Sequence, residues 1–453
     1  MISLKIKEDK KGIKRIFVIY PDIHADKRQI PTPIHILEID DCLNKLKLIV
    51  HDNFPNFRIL KITVFVSCKN LQDFTEKKNE FTELLKSNSD LSEFPLLFVA
   101  QPPANNMNVA VEVLALMLPA SEYVYEYGNM DNISFCKVAS GEYMEIYGTI
   151  TNGTNNNPLT PFDKGESVYQ QSMGCFEDLK NILEKNNLDF GNVVRQWGYI
   201  GGITNYELRI TNGGKTNNRL FDSAQSDKIE NYQMFNMARA EFYKNADWKY
   251  GYPAATGIGA NVEGCSIEFV ATNDNPNKLI IPLHNPKQSD AHRYTGKNFN
   301  NLLNPALIRG NFRDKSKSFN INDESDTPKF ERGKIVITGE TLDLYVSGTA
   351  AIIGEVSVSG DIREQTKTTL DNITKLCSKE NLEEHGLFIE GDLPLFSGVR
   401  AYIKYPQDIP VVEKMCRKKF GDVPILCVIA DVCREELLVE IEAFLNCNID
   451  IQN

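Results

Sequence analysis

The chain has 453 residues, 42% of them hydrophobic and 25% charged, with a formal net charge of −11 at pH 7. That is the composition of a globular protein with room for two or three domains. The acidic balance argues against a dedicated nucleic-acid binder, which presents a basic face. It allows a small anionic substrate, because a few arginines dominate the field inside a pocket.

The N-terminus, Met1-Ile2-Ser3-Leu4-Lys5-Ile6-Lys7, is charged and has no apolar signal-peptide core, so a cytoplasmic chain is expected. Residues 15–20 and 59–66 read as strands, 71–85 as an amphipathic helix, and 96–100 and 110–117 as two more strands. The turn-rich Gln101-Pro102-Pro103-Ala104-Asn105-Asn106 separates the last two. The longest apolar run, 109–120, is interrupted by Glu112 and is too short to span a bilayer, so no membrane partner is expected. Ten cysteines include no Cys-x-x-Cys pair; Cys42, Cys136, Cys175, Cys265 and Cys427 sit in apolar or amphipathic runs and read as small core residues. The six histidines (24, 35, 51, 284, 292, 385) show no metal-ligand spacing, so neither a structural zinc nor another metal is expected.

From about residue 137 the chain repeats itself. Tyr143-Met144-Glu145-Ile146-Tyr147-Gly148-Thr149 is matched by Leu342-Asp343-Leu344-Tyr345-Val346-Ser347-Gly348-Thr349. A helix follows each, 171–183 and 365–377, with apolar residues at helical spacing on one face. Then come a strand (193–200; 398–405), a second helix (232–243; 409–420) and a strand pair (253–259 and 265–271; 424–430 and 438–443). Matching the proline-to-glutamate spacings, 253 to 268 and 424 to 440, pairs Glu268 with Glu440. Helices cover one face of each sheet; the other face must be buried by another unit, as a ring of such units does.

The last strand pair is the most suggestive stretch. After the apolar 424–430 comes a polar break, Asp431-Val432-Cys433-Arg434-Glu435-Glu436. From Val439 apolar and acidic residues alternate, so Glu440 and Glu442 share a face. An inward carboxylate there can hold a proton near neutral pH, as a general acid must. The alternative is an edge strand with two solvated glutamates. The expected division is 1–136, 137–294, a polar Asn-rich insertion 295–327 read as a mobile loop or lid, and 328–453.

Residues 334–447 resemble a RidA (YjgF) domain through Val346-Ser347-Gly348-Thr349, Gly360-Asp361 with Gln365, and Val439-Glu440-Ile441-Glu442. The longer span 137–453 resembles the chorismatase family, of the FkbO type. The points of likeness are Gly198-Tyr199-Ile200-Gly201-Gly202-Ile203, Tyr232 to Arg239, Pro253 to Gly259, Asn285-Pro286-Lys287-Gln288-Ser289-Asp290-Ala291, Ser347 to Gly354, and Ala430-Asp431-Val432-Cys433-Arg434. Gln101-Pro102-Pro103 fits the N-terminal domain of that family.

The resemblance implies an α+β fold of tandem RidA/YjgF-like (chorismate-mutase-like) domains, with 1–136 an N-terminal RidA-like domain, 137–294 a first RidA-like repeat and 328–453 the catalytic repeat. It implies mixed sheets with helices on one face, in a pseudo-trimeric arrangement, as a monomer with internal pseudo-symmetry or a homotrimer. The implied activity is hydrolysis of the enolpyruvyl ether of chorismate, giving pyruvate and a dihydroxycyclohexadiene carboxylate or a hydroxybenzoate, for secondary metabolism and with no cofactor. Glu440 matches the family's acid. Arg239, Arg293, Arg332 and Arg434, with Tyr294, are the candidates for binding the substrate's carboxylates. Cys433 goes with the hydroxybenzoate-forming branch, and Ala350 lies in the other stretch that tunes the product. After Gly354 the family's histidine is missing, and Glu355 follows directly. Two alternatives remain: a non-catalytic RidA-like binder of a small carboxylate, and an enamine or imine deaminase. The deaminase is disfavoured because 424–430 lacks the arginine that RidA deaminases carry there.

Overall fold

The computed structural model describes residues 2–6, 14–20, 57–86, 94–104, 106–117, 123–151, 168–204, 230–262, 264–294, 327–390, 393 and 396–452. The insertion expected at 295–327 lies outside the described residues except at its last position.

The elements in order are β1 (Ile2–Ile6), β2 (Lys14–Tyr20), β3 (Phe57–Val66), α1 (Leu71–Lys86), β4 (Leu96–Val99) and β5 (Val109–Met117). Next come β6 (Val124–Met130), β7 (Ile133–Ser140), β8 (Tyr143–Thr151), α2 (Val168–Lys185), β9 (Val193–Gly201), α3 (Asn231–Tyr243), β10 (Ala254–Ala260) and β11 (Cys265–Thr272). The rest are β12 (Lys278–Leu283), β13 (Gly333–Thr338), β14 (Thr341–Ala350), the hairpin β15 (Ile352–Ile353) and β16 (Val356–Ser357), α4 (Ile362–Leu376), α5 (Lys379–Glu384), β17 (Leu387–Glu390), β18 (Gly398–Ile403), α6 (Ile409–Phe420), β19 (Ile425–Ile429) and β20 (Val439–Gln452).

The expected repeat is present as one topology. The middle sheet runs β10-β9-β11-β8-β7-β6, and the last runs β19-β18-β20-β14-β13-β12 with the same parallel and antiparallel pairings. The first sheet, β4-β3-β5-β2, is the four-stranded core of the same plan. These are an N-terminal, a middle and a C-terminal unit of an α+β fold.

Period-two alternation sorts the side chains of each central strand. In β20, Val439, Ile441, Ala443 and Leu445 face the helices and join Leu370, Ile373 and Leu376 of α4 in one buried cluster. Each buried valine, leucine or isoleucine among them contributes roughly 1.5–3 kcal/mol. The opposite faces of all three sheets meet in a shared core containing Phe65 and Leu97, Trp197 and Tyr199, and Tyr402 and Phe444. Burying three sheet faces against one another is what closes the molecule.

Two expected boundaries shift. The cut at 136 falls inside β7, which pairs with β8, so the β6–β7 hairpin belongs to the middle sheet. The cut at 294 assigns β12 to the middle unit, but β12 pairs with β13 of the last. Strands follow their ladder partners, and composition does not mark where those lie. The N-terminal β1 also leaves its own unit, pairing with β17 and with the far end of β20.

Candidate active site

Cross-strand register makes positions in the three units equivalent. Glu112 lies opposite Thr63, Glu268 opposite Trp197, and Glu442 opposite Arg400, so these three glutamates correspond. Glu440, opposite Tyr402, corresponds to Ser266 and to Ala110. The sequence pairing of Glu268 with Glu440 is therefore out by two residues. A slip of two keeps every side chain on its face, so alternation alone does not detect it.

The three equivalent glutamates are buried and bridge the units in a cycle. Lys61 of the N-terminal unit meets Glu268 of the middle unit at 2.9 Å. Arg195 of the middle unit meets Glu442 of the C-terminal unit at 2.7 Å, and Arg400 of that unit meets Glu112 of the first at 2.5 Å. The cavity on this axis is lined by Lys61, Glu112, Arg195, Arg400 and Glu442, all engaged with one another or with Glu268. This is a keystone holding three sheets together.

A second cavity lies between the middle and C-terminal units and holds about 540 Å³ of space, part of it open to solvent. A cleft between two packed units is a usual place for a small-molecule site. The middle unit supplies Tyr232, Ala255 and Gly257; the C-terminal unit supplies Gly348, Ala350, Ile352, Cys433, Arg434 and Glu440. Tyr294, Pro328, Phe330 and Arg332, from the two sides of the 295–326 segment, complete the lining.

Local sequence explains the placement. The β14–β20 ladder shifts register between Val346 and Thr349, a bulge at Ser347–Gly348 of the kind that re-aims side chains beside a site. A Cβ on Gly348 would overlap the Glu440 carboxylate, so glycine makes the space that the acid occupies. Gly257 likewise yields its side-chain space to the Tyr232 ring. The turn carrying Cys433 and Arg434 is tied down by Gln365, which donates to Glu436 O at 2.9 Å and accepts from Leu438 N at 2.9 Å. Gln365 is set by α4, which begins with an Asp361–Glu364 capping box. Arg434 Nη1 donates to Glu355 O and Ser357 Oγ.

Arg332 is buried; it donates through Nε and Nη2 to Ser289 O and through Nη2 to Tyr294 Oη at 2.5 Å. Its Nη1 donates to no group among the described residues. Glu440 is 5% exposed and accepts no hydrogen bond among them. Burial, and then the charge of Glu442, push its carboxyl up to about 8, against Arg195 and Arg332. Glu442 moves the other way. Burial alone would raise it, but Arg400, Arg195 and hydrogen bonds from Thr256 and Trp197 hold it below its usual value. Burial, aided by Glu440, pushes the Cys433 thiol up to about 12, so it stays a neutral thiol.

Six of the eight residues singled out from sequence line this cavity: Glu440, Cys433, Tyr294, Arg332, Arg434 and Ala350. Arg293 does not; its side chain is 74% exposed and lies 3.6 Å from Asp290. Arg239 does not either. It is buried within α3, donates to Asn236 Oδ1 at 2.5 Å and stacks over Phe235. Sequence reading missed Tyr232, Phe330 and Gly348 as lining residues, although all three lie in or beside stretches it had marked.

His284, Asp290 and Glu331 bring their ligand atoms within 4.8 Å of one another, close enough to suggest a metal site. His284 Nδ1 is hydrogen-bonded to Asp290 at 2.7 Å and lies 3.9 Å from Glu331, and the bond to Asp290 raises its pKa. Asp290 and Glu331 beside the ring favour its protonated form. Among the described residues no helix is long and apolar enough to cross a membrane.

Residues 158–271 match the family described as Chorismatase FkbO/Hyg5-like, N-terminal. This chain is similar to the chorismatases. It is 28% identical to a 3-hydroxybenzoate synthase of Streptomyces hygroscopicus over 70% of this chain and 77% of that one. It is 27% identical to a chorismatase of Streptomyces rapamycinicus over 56% of this chain and 64% of that one. A crystal structure of chorismatase superposes with a TM-score of 0.60, covering 96% of this chain and 98% of that one at 18% identity, so the fold is shared. The cavity described above falls within that fold.

Proposed function

We propose that this chain cleaves the enolpyruvyl ether of chorismate, releasing pyruvate and a hydroxybenzoate, with 3-hydroxybenzoate favoured. The observation that carries this reading is Glu440, a buried carboxyl held protonated near neutral pH and facing a cavity with arginines beside it. Its likeness to enzymes named 3-hydroxybenzoate synthase and chorismatase supports the substrate.

An enol ether opens when its terminal methylene carbon takes a proton. The C–H bond forms at the expense of the double bond, and the positive charge is shared between carbon and ether oxygen. Glu440 gives that proton. As the cation forms, the newly charged carboxylate lies beside it, an electrostatic stabilisation developed in the transition state. Arg332 holds a substrate carboxylate through its remaining amino group, with Arg434 and Tyr294 at the same rim. Capture by water consumes one water and yields the dihydroxycyclohexadiene carboxylate. Pyruvate plus hydroxybenzoate has the composition of chorismate, so that branch consumes no water overall. Cys433, a small neutral thiol, and Ala350 shape the space beside the ring and bias the outcome to the second branch.

The working unit is a monomer, since three sheets of one chain already close the ring that a homotrimer would close with three chains. The nine described cysteines are free thiols, as in a reducing cytoplasm. Incubation with chorismate, following pyruvate and the aromatic product, tests the reading. Tight binding without pyruvate release would make the protein a carboxylate binder.

A further inference from the structure

The three units are equivalent by register, so their differences mark where one cleft departs from the plan. Thr256 of β10 lies opposite Trp197, Leu426 of β19 opposite Arg400, and Leu97 of β4 opposite Thr63. These three positions correspond. Two hold buried leucines in the shared core, and the third holds a buried threonine between Ala255 and Gly257, which line the cleft that contains Glu440. The β14 bulge is likewise confined to that cleft: β8 pairs with β11 without a break in register.

The buried Thr256 hydroxyl has every valence used. It accepts from Arg195 Nη2 at 2.7 Å and from Gly348 N at 2.9 Å, and donates to Glu442 Oε2 at 2.6 Å. One hydroxyl thus joins the charged cycle on the axis to the bulge over which the Glu440 carboxyl sits. A leucine here, as in the sister units, would leave the Gly348 N–H and one Glu442 lone pair without this partner.

We propose that Thr256 is a positioning residue for proton transfer, clamping the Ser347–Gly348 bulge and the Glu442 carboxylate so that the Glu440 carboxyl is held in its space above Gly348. This rests on the reading of Glu440 as the acid. The groups facing Glu440 are Glu442 on its own strand, Tyr402 across the ladder, Arg195 of β9, Arg332 before β13, Cys433 in the preceding turn and Tyr232 of α3. Of these, Thr256 is hydrogen-bonded directly to Glu442 and Arg195, a pair of opposite charges.

The test uses the full chain with chorismate. Thr256→Val keeps the shape and removes the hydroxyl; Thr256→Ser keeps the hydroxyl. Thr256→Val should lower kcat by about tenfold or more with KM within about twofold, and Thr256→Ser should restore most of the loss. Glu442→Gln should move the alkaline limb of the pH–rate profile down by about one unit, which a packing defect alone would not do. An unchanged kcat in Thr256→Val, or an equal loss in both Thr256 variants, overturns the proposal. If the parent releases no pyruvate, the acid reading fails, and the clamp is read instead by carbon-13 NMR titration of Glu440. Its midpoint should then move by more than about half a unit in Thr256→Val but not in Thr256→Ser. No movement in either overturns the clamp.

Discussion

Glu440 and Glu442 leave the same face of β20 two residues apart, and their surroundings separate their charges. Glu442 takes Arg195 at 2.7 Å, Trp197 at 2.8 Å and Thr256 at 2.6 Å, and is held ionised. Glu440 takes no such partner among the described residues, and burial beside that fixed negative charge favours its neutral form. Two carboxyls pushed apart by their environments are what the proposed roles of acid and electrostatic neighbour require.

The pH dependence follows. A proton donor works while it holds its proton, so turnover should fall as pH rises through about 8, the Glu440 value. Glu440→Gln should lower turnover by roughly 10² or more. The same group affects stability. Its folded pKa is raised above the unfolded value, so its favourable contribution is full below the unfolded pKa and lost as pH rises through about 8. Glutamine does not titrate, so Glu440→Gln should unfold at a higher temperature than the parent at pH 9, and by a smaller margin at pH 5. Thermal scans at the two pH values check this; an equal margin at both would contradict a buried titrating carboxyl.

Gly348→Ala is expected to act like loss of the acid. The added Cβ overlaps the Glu440 carboxylate and approaches Thr256 Cγ2 at 2.9 Å, so the carboxyl must move. Turnover should fall by about 10² or more with the fold intact, since misplacing a catalytic group by about an ångström has that effect. Near-parental turnover would show that the proton comes from elsewhere.

Arg332→Ala should raise KM strongly, because a charge-assisted contact contributes roughly 1.5–3 kcal/mol. Arg293→Ala should leave KM near the parental value, since its side chain is 74% exposed and directed at Asp290. Steady-state kinetics of the pair separates a rim arginine from a surface one; equal effects would move the carboxylate site toward Arg293.

Cys433→Ala should shift the product toward the dihydroxycyclohexadiene carboxylate while pyruvate release continues. In oxygen-labelled water the hydroxybenzoate from the parent should carry no label in its phenol. Label there would mean capture by water and would remove the role given to Cys433.

The central cycle supports the fold rather than the chemistry. Arg400→Met leaves Glu112 buried without its cation, and breaking a buried pair in this way costs about 3–5 kcal/mol. Denaturant titration should show that loss; a stability near the parent's would mean that the three-sheet junction tolerates an unpaired carboxylate.

Much of this was legible in the sequence. The repeat from 137 onward was visible because helix and strand periods alternate in the same order twice, and Glu440 stood out because acidic residues alternate with apolar ones after Val439. The third copy of the plan was expected only through the family resemblance, which made 1–136 a RidA-like domain; no repeat in the residues themselves marked it. The correspondence of Glu268 with Glu442 was hidden by the two-residue period of a strand. Arg239 and Arg293 looked like clamps because an arginine in a family stretch carries no mark of which way it points: one turned into its own helix and the other toward solvent. Thr256 was invisible as a positioning residue because its meaning lies in the contrast with Leu97 and Leu426, which only the register reveals.

The most direct test of the account is pyruvate release from chorismate by the parent and by Glu440→Gln, measured side by side with the aromatic product resolved. Pyruvate and 3-hydroxybenzoate should form in equal amounts from the parent, with a loss of roughly 10² or more in the folded variant. Full turnover by Glu440→Gln, or a parent that binds chorismate and releases no pyruvate, would contradict it.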